Sequence, residues 1–109
     1  MNNNEAIQRK IDTGNLVHIN GKILRTLNVI SESKCQLSSL EYSFGAIEHD
    51  DFVNSVKYLS MSEYVELKDC WSKKAISFKE SKFNETEISL TAKGIRVLCG
   101  VIEDECIEV

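Results

Sequence analysis

Apolar residues recur at helical spacing in four stretches of the chain and alternate with polar ones in two others. From Lys22 to Ile30, the residues Ile23, Leu24, Leu27 and Ile30 lie three and four apart, which predicts a helix closed by Ser31 to Ser33. In "QLSSLEYSFG", Leu37, Leu40 and Phe44 repeat that spacing and Gly45 supplies a stop, so a short second helix is expected. "HDDFVNSVKYLSM" sets Phe52, Val56 and Leu59 on one face, with Asp50 and Asp51 in the first turn, where the positive end of the helix dipole favours acids. That predicts a third helix. The period then changes: "YVELK" alternates Val65 and Leu67 with Glu66 and Lys68, and "TEISL" alternates again. The polar stretch from Trp71 to Asn84 joins these two strands as a hairpin. Within "EISLTAKGIRVLCG" the alternation hands over at Thr91 to the wider spacing of Ile95, Val97 and Leu98, so Thr91 is the expected cap of a closing helix. Upstream, "EAIQRKI" reads as a short helix, while "LVHI" fits either a strand or a helix extension.

Length and composition bound this picture. With 109 residues and 42% hydrophobic content, the chain can bury one core and is too short for two independent domains. It divides into an N-terminal segment, residues 1–21, and a domain over residues 22–109 that ends in an acidic tail. No apolar run approaches the ~20 residues needed to cross a bilayer. "MNNNEAIQRKIDTG" has neither an apolar signal core nor a small-residue cleavage site. A cytoplasmic protein without membrane association is expected, and Cys35, Cys70, Cys99 and Cys106 should remain thiols there. The net charge of -4 has the wrong sign for a surface that grips a polyanion everywhere. Charge is nonetheless segregated. Residues 68–82 hold Lys68, Lys73, Lys74, Lys79 and Lys82 against Asp69 and Glu80, whereas "EDECIEV" holds four acids and no base.

Three helices, a strand, a loop, a second strand and a final helix follow the order of a winged helix-turn-helix. Residues 22–98 resemble the winged helix domains of MarR-like, ArsR-like and PadR-like regulators, whose final strand often reads into "LTxKG", as Leu90, Thr91, Lys93 and Gly94 do here. The tail "LTAKGIRVLCGVIEDECIEV" also resembles the end of small winged-helix proteins of Mu-like prophages. The resemblance implies an α+β, mostly α fold with a small antiparallel wing sheet of two or three strands. It also implies a small DNA-binding regulatory protein. One departure stands out: the family usually has a Gly between the third helix and the first wing strand, where this chain has Ser62 and Glu63, so a different turn or an earlier fraying of the helix is expected.

A third helix that reads DNA offers side chains such as Asn, Ser and Lys to base edges in the major groove, and here the candidates are Asn54, Ser55 and Lys57. Asp50 and Asp51 oppose them by repelling phosphates. The wing is the stronger candidate, since Lys73, Lys74, Lys79 and Lys82 can straddle a phosphate backbone with Trp71 and Phe78 interleaved. The alternative is that the lysines keep a hairpin soluble while both aromatics pack back onto the core. No closely spaced cysteine pair suits zinc, and His18 and His49 join a cluster only if folding brings them together, so neither metal nor cofactor is expected. No nucleophile-base grouping or Gly-rich phosphate loop appears, which argues against an enzyme. Ile95, Val97, Leu98, Val101 and Ile102 form either a buried closing helix or, with Ile7, Ile11, Leu16, Val17 and Ile19, the seam of a homodimer. A winged helix that binds protein rather than DNA is the competing class, and it fits the acidic third helix and tail.

Overall fold

A computed structural model describes residues 3–30 and 34–109. It is an α+β fold, mostly α, with four helices and one two-stranded antiparallel sheet. Helix α1 runs over Asn3–Val29, α2 over Leu37–Phe44, α3 over His49–Met61 and α4 over Ala92–Leu98; strands β1 and β2 are Val65–Asp69 and Thr86–Leu90. The expected division at residue 21 is absent, because α1 passes through it unbroken. "LVHI" is therefore helix, and its Ile19 faces the core together with Ile23, Leu24 and Leu27, so one apolar stripe continues across the expected boundary. The expected closure at Ser31 to Ser33 lies outside the described residues.

The other elements form where the periodicity places them. Gly45 ends α2 with φ 68, a left-handed backbone that costs glycine little. Thr91 caps α4, its hydroxyl oxygen accepting from the Gly94 N–H at 3.1 Å. The strands pair Val65 with Leu90 and Leu67 with Ile88, which turns Val65, Leu67 and Ile88 together onto the core side. Phe52, Val56 and Leu59 of α3 and Leu37 and Leu40 of α2 complete that core. Single antiparallel bridges extend the ladder on both sides, Gln36 to Glu87 and Lys68 to Ala75.

The acidic tail does not trail into solvent. Ile107 is buried, and the strap from Gly100 to Val109 lies along α1. The Asn20 amide donates to the Cys106 carbonyl at 2.8 Å, Arg25 Nη1 donates to the Glu108 carbonyl at 2.5 Å, and the Glu108 N–H donates to the Val17 carbonyl at 3.2 Å. Gly21 makes this approach possible, because a Cβ there would overlap the Glu108 carbonyl oxygen. Asp104 fastens the strap to α3: its Oδ2 accepts from the hydroxyls of Tyr58, at 2.6 Å, and Tyr64, at 2.7 Å, while Oδ1 accepts from the Cys106 N–H at 2.9 Å. Burial alone would raise the Asp104 carboxyl, but these donors outweigh it and hold it below the ordinary carboxylate value. Burial and the hydrogen bond to that carboxylate push Tyr64 up to about 12 and raise Tyr58 further.

Two outcomes follow for the strap. Gly21→Ala should cost about 1–3 kcal/mol by overpacking, seen as a lower Tm and faster trimming of the C-terminal residues by a carboxypeptidase. A variant with unchanged Tm and trimming would show the strap to be unattached. The Asp104 cluster sets the pH limits. Since its folded pKa is lowered, Asp104 contributes stability above the unfolded carboxylate value of about 4, and that contribution fades as pH falls through the folded value. The two phenols act in the opposite sense, contributing fully below about pH 10 and less as pH rises toward their folded values. Urea unfolding between about pH 2 and 11 should show a plateau with both limbs, and Asp104→Asn should flatten them while lowering the plateau by about 1–3 kcal/mol.

Candidate nucleic-acid interface

The candidate surface consists of α3 and the chain between β1 and β2. That connection is not a simple projecting hairpin. At its start the Asp69 carboxylate accepts from the N–H groups of Trp71, at 3.0 Å, and Ser72, at 2.7 Å, folding a tight reversal. The Ser72 amide, ahead of the other donors, holds the Asp69 carboxyl below its ordinary value. Lys73 closes the reversal with φ 61, and the chain returns along the outer edge of β1, where Lys68 bridges to Ala75. It then enters a short 3₁₀ helix at Phe78–Glu80, capped by reciprocal bonds between Ser77 and Glu80.

From there the connection is pulled onto the helices. The Phe83 ring meets Phe52 edge-on with centroids 5.9 Å apart and His49 at 5.8 Å, while Phe52 meets Phe44 at 6.1 Å. The Phe83 carbonyl accepts from the Ser38 N–H at 3.2 Å, satisfying a first-turn donor of α2. His49 is further held by Glu41, with Nδ1 2.7 Å from Oε2. The start of α3 is thus held between α2 and the returning chain.

These elements scatter the predicted contact residues. Ser55 is a correction: it is fully buried and donates to Asn20 Oδ1, so it faces the core and reaches no groove of DNA. The cause is its place one residue before Val56 on the core-facing side of α3. Asn54 and Lys57 are exposed. Asn54, however, shares an open groove between α1 and α3 with Asp12 and Asp51, whose carboxylates would oppose a phosphate. Lys73 is occupied, its Nζ 2.6 Å from Glu87 Oε1, and that carboxylate raises its pKa. Lys74, Lys79 and Lys82 are exposed and form no ion pair among the described residues. The two aromatics part company: Phe78 packs partly into the core, whereas Trp71 is 83% exposed beside Lys73 and Lys74.

The cysteines are free thiols, and burial raises Cys35 further from reactivity. Among the described residues no group of three or more His, Cys, Asp and Glu side chains gathers as a metal would need. His18 and His49 lie apart, the first 3.3 Å from Glu108 and the second on Glu41. No described helix is long and apolar enough to cross a membrane. Sequence reasoning missed the residues that hold the strap: Asn20 in the middle of an apolar helix face was the available signal. It also missed Met61, an apolar side chain left 71% exposed at the end of α3. No family model, curated protein or solved structure matches the chain.

The turn from α3 into β1 carries one further departure from the expected glycine. The Glu63 N–H donates to the Ser60 carbonyl at 3.1 Å and the Tyr64 N–H to the Leu59 carbonyl at 3.0 Å, the paired bonds of a Schellman ending. Glu63 occupies its left-handed position with φ 65, so the helix stops where a glycine would stop it and bears the strain instead. Glu63→Gly should therefore raise stability by about 0.5–1 kcal/mol, after the added freedom of the unfolded glycine is set against the relieved strain. Chemical denaturation measures this, and a destabilised variant would mean that the Glu63 side chain holds the turn.

Proposed function

We propose that this chain is a small winged-helix DNA-binding regulatory protein that grips the phosphate backbone through its wing. The observation that carries the reading is the set of exposed, uncommitted lysines, Lys74, Lys79 and Lys82 on the β1–β2 connection and Lys57 on α3. The element order supports it, as does the bridge from Gln36 to Glu87, which adds the segment before α2 to the sheet. Exposed Trp71 at the reversal adds an aromatic face against a sugar or base. Lys73 serves the wing's shape through Glu87 and contributes less. Base reading is limited to Asn54 and Lys57, so affinity is electrostatic first and sequence-selective second.

The protein works as a homodimer through the exposed N-terminal part of α1. From Asn3 to Asn15, about 20 Å of helix, the side chains are exposed apart from half-buried Ala6, and Ile7 and Ile11 stand 57% and 51% exposed one turn apart. An unsupported helix of this length is marginal in water, so a partner's covering it supplies the missing stabilisation. Val97 is committed to the domain core, which leaves Ile95 and Val101 as the exposed apolar residues at the other end of the seam. A second reading, a winged helix that binds protein without DNA, is favoured by Asp50 and Asp51 in the first turn of α3.

Fluorescence anisotropy with a random duplex separates the two. Three phosphate contacts predict about 40-fold weaker binding when salt rises from about 50 to 200 mM, and Lys74, Lys79 and Lys82 changed together to Glu should remove binding at both. Sedimentation of the Ile7→Asp/Ile11→Asp variant should show monomer where the intact chain is dimer. An intact protein that ignores the duplex even at low salt leaves the protein-binding reading in place of this one.

A further inference from the structure

The C-terminal strap carries an open groove of about 290 Å³. Val97 and Ile107, buried in the domain, form its floor, and half-buried Ile102 and exposed Val109 form its walls. Glu103 and Glu105 line the same groove, and no lysine or arginine does. Both carboxylates are exposed and form no ion pair among the described residues. The groove is therefore apolar inside with a negative rim, and Val109 is left 65% exposed at its mouth.

The first half of α1 carries the matching pattern. Ile7 and Ile11 form an exposed apolar stripe, and Lys10, three residues after Ile7, stands at its side with no ion pair among the described residues. The groove of the same chain is out of reach. The strap meets α1 at Val17, whose carbonyl accepts from the Glu108 N–H, and ten residues of helix set Ile7 about 15 Å from there along the axis. A second copy closes that distance. Lys10 and Val17 lie seven residues apart, nearly two whole turns, so both are on one side of the helix. Two α1 helices running antiparallel about a two-fold axis bring like sides together, which sets Ile7 and Lys10 of one copy level with Val17 and the strap of the other. Gly14 falls close to the crossing, where the absence of a side chain leaves the helices room to approach.

We propose that the strap groove takes the first half of α1 from a second copy, with Ile7 entering it, Ile11 covering Val109 and Lys10 pairing with Glu103 and Glu105. The inference rests on the homodimer reading above and names the surface that receives the helix. Each copy gives one helix and one groove, so the two contacts are equivalent and assembly stops at two chains. Burial of the isoleucines supplies affinity, and the charges fix which surface the helix meets. Lys74, Lys79 and Lys82 do not line the groove, so dimer formation and duplex binding stand or fall separately.

Two charge-reversed chains test this, Lys10→Glu and Glu103→Lys/Glu105→Lys, with dimerisation followed by sedimentation equilibrium. All three positions are exposed and outside the core, so both chains keep the fold, which circular dichroism checks. Each variant alone should dimerise at least tenfold more weakly than the intact chain. Mixed together, the two should form a heterodimer of nearly intact affinity, because one contact is then native and the other has both charges exchanged. An intact chain that dimerises through Ile7 and Ile11 but ignores both reversals overturns this proposal and keeps the homodimer. A mixture no tighter than its separate components overturns it as well. An intact chain that is monomeric at every concentration removes the homodimer and this proposal together.

Discussion

The fold turns on one buried polar residue. Asn20 sits in the middle of the apolar stripe of α1, fully buried, and uses both ends of its amide: Oδ1 accepts from Ser55 of α3 and Nδ2 donates to the Cys106 carbonyl of the strap. A buried amide left without partners costs about 1–3 kcal/mol for each unmet group, so only an arrangement that brings α1, α3 and the tail together satisfies it. Apolar contacts between those elements would tolerate a sliding register; the amide does not. Gly21 stands next to it for the same reason, because the strap reaches Val17 and Arg25 only where no side chain intervenes.

The strap in turn fixes what α3 can show to solvent. Tyr58 and Tyr64 are drawn to Asp104, Ser55 is committed to Asn20, and Phe52 is buried against Phe83. What remains outside is a sparse face with His49, Asp50, Asn54, Lys57 and Met61. The helix that would read bases in a winged-helix regulator therefore carries one lysine, Lys57, and two first-turn acids, while Lys74, Lys79 and Lys82 lie on the connection after β1. This division is why backbone contact rather than base reading heads the proposed function.

Local pattern carried well where a segment's own periodicity matched its burial. The three core residues Phe52, Val56 and Leu59, the alternation in "TEISL" and the cap at Thr91 all lie where spacing put them. Pattern failed where a contact from far along the chain decided the outcome. Ser55 looks like any exposed helical serine until Asn20, 35 residues earlier, claims its hydroxyl. Lys73 looks like its neighbour Lys74 until Glu87 is placed beside it by the strand register. The candidate surface was therefore legible as a region, and its membership was not.

From the sequence alone came the second, third and closing helices, the two strands, the α+β class, the segregated charge and the switch of period at Thr91. Each is a property of residues within one or two turns of each other, where spacing and backbone preference act without help. Tertiary structure decided the continuity of α1 through Gly14 and Gly21, the folding-back of the acidic tail, and the capture of Phe78 and Phe83 against exposure of Trp71. Those outcomes rest on which groups meet across the whole chain. A buried amide, a missing Cβ and an aromatic edge have consequences only once their distant partners are in place.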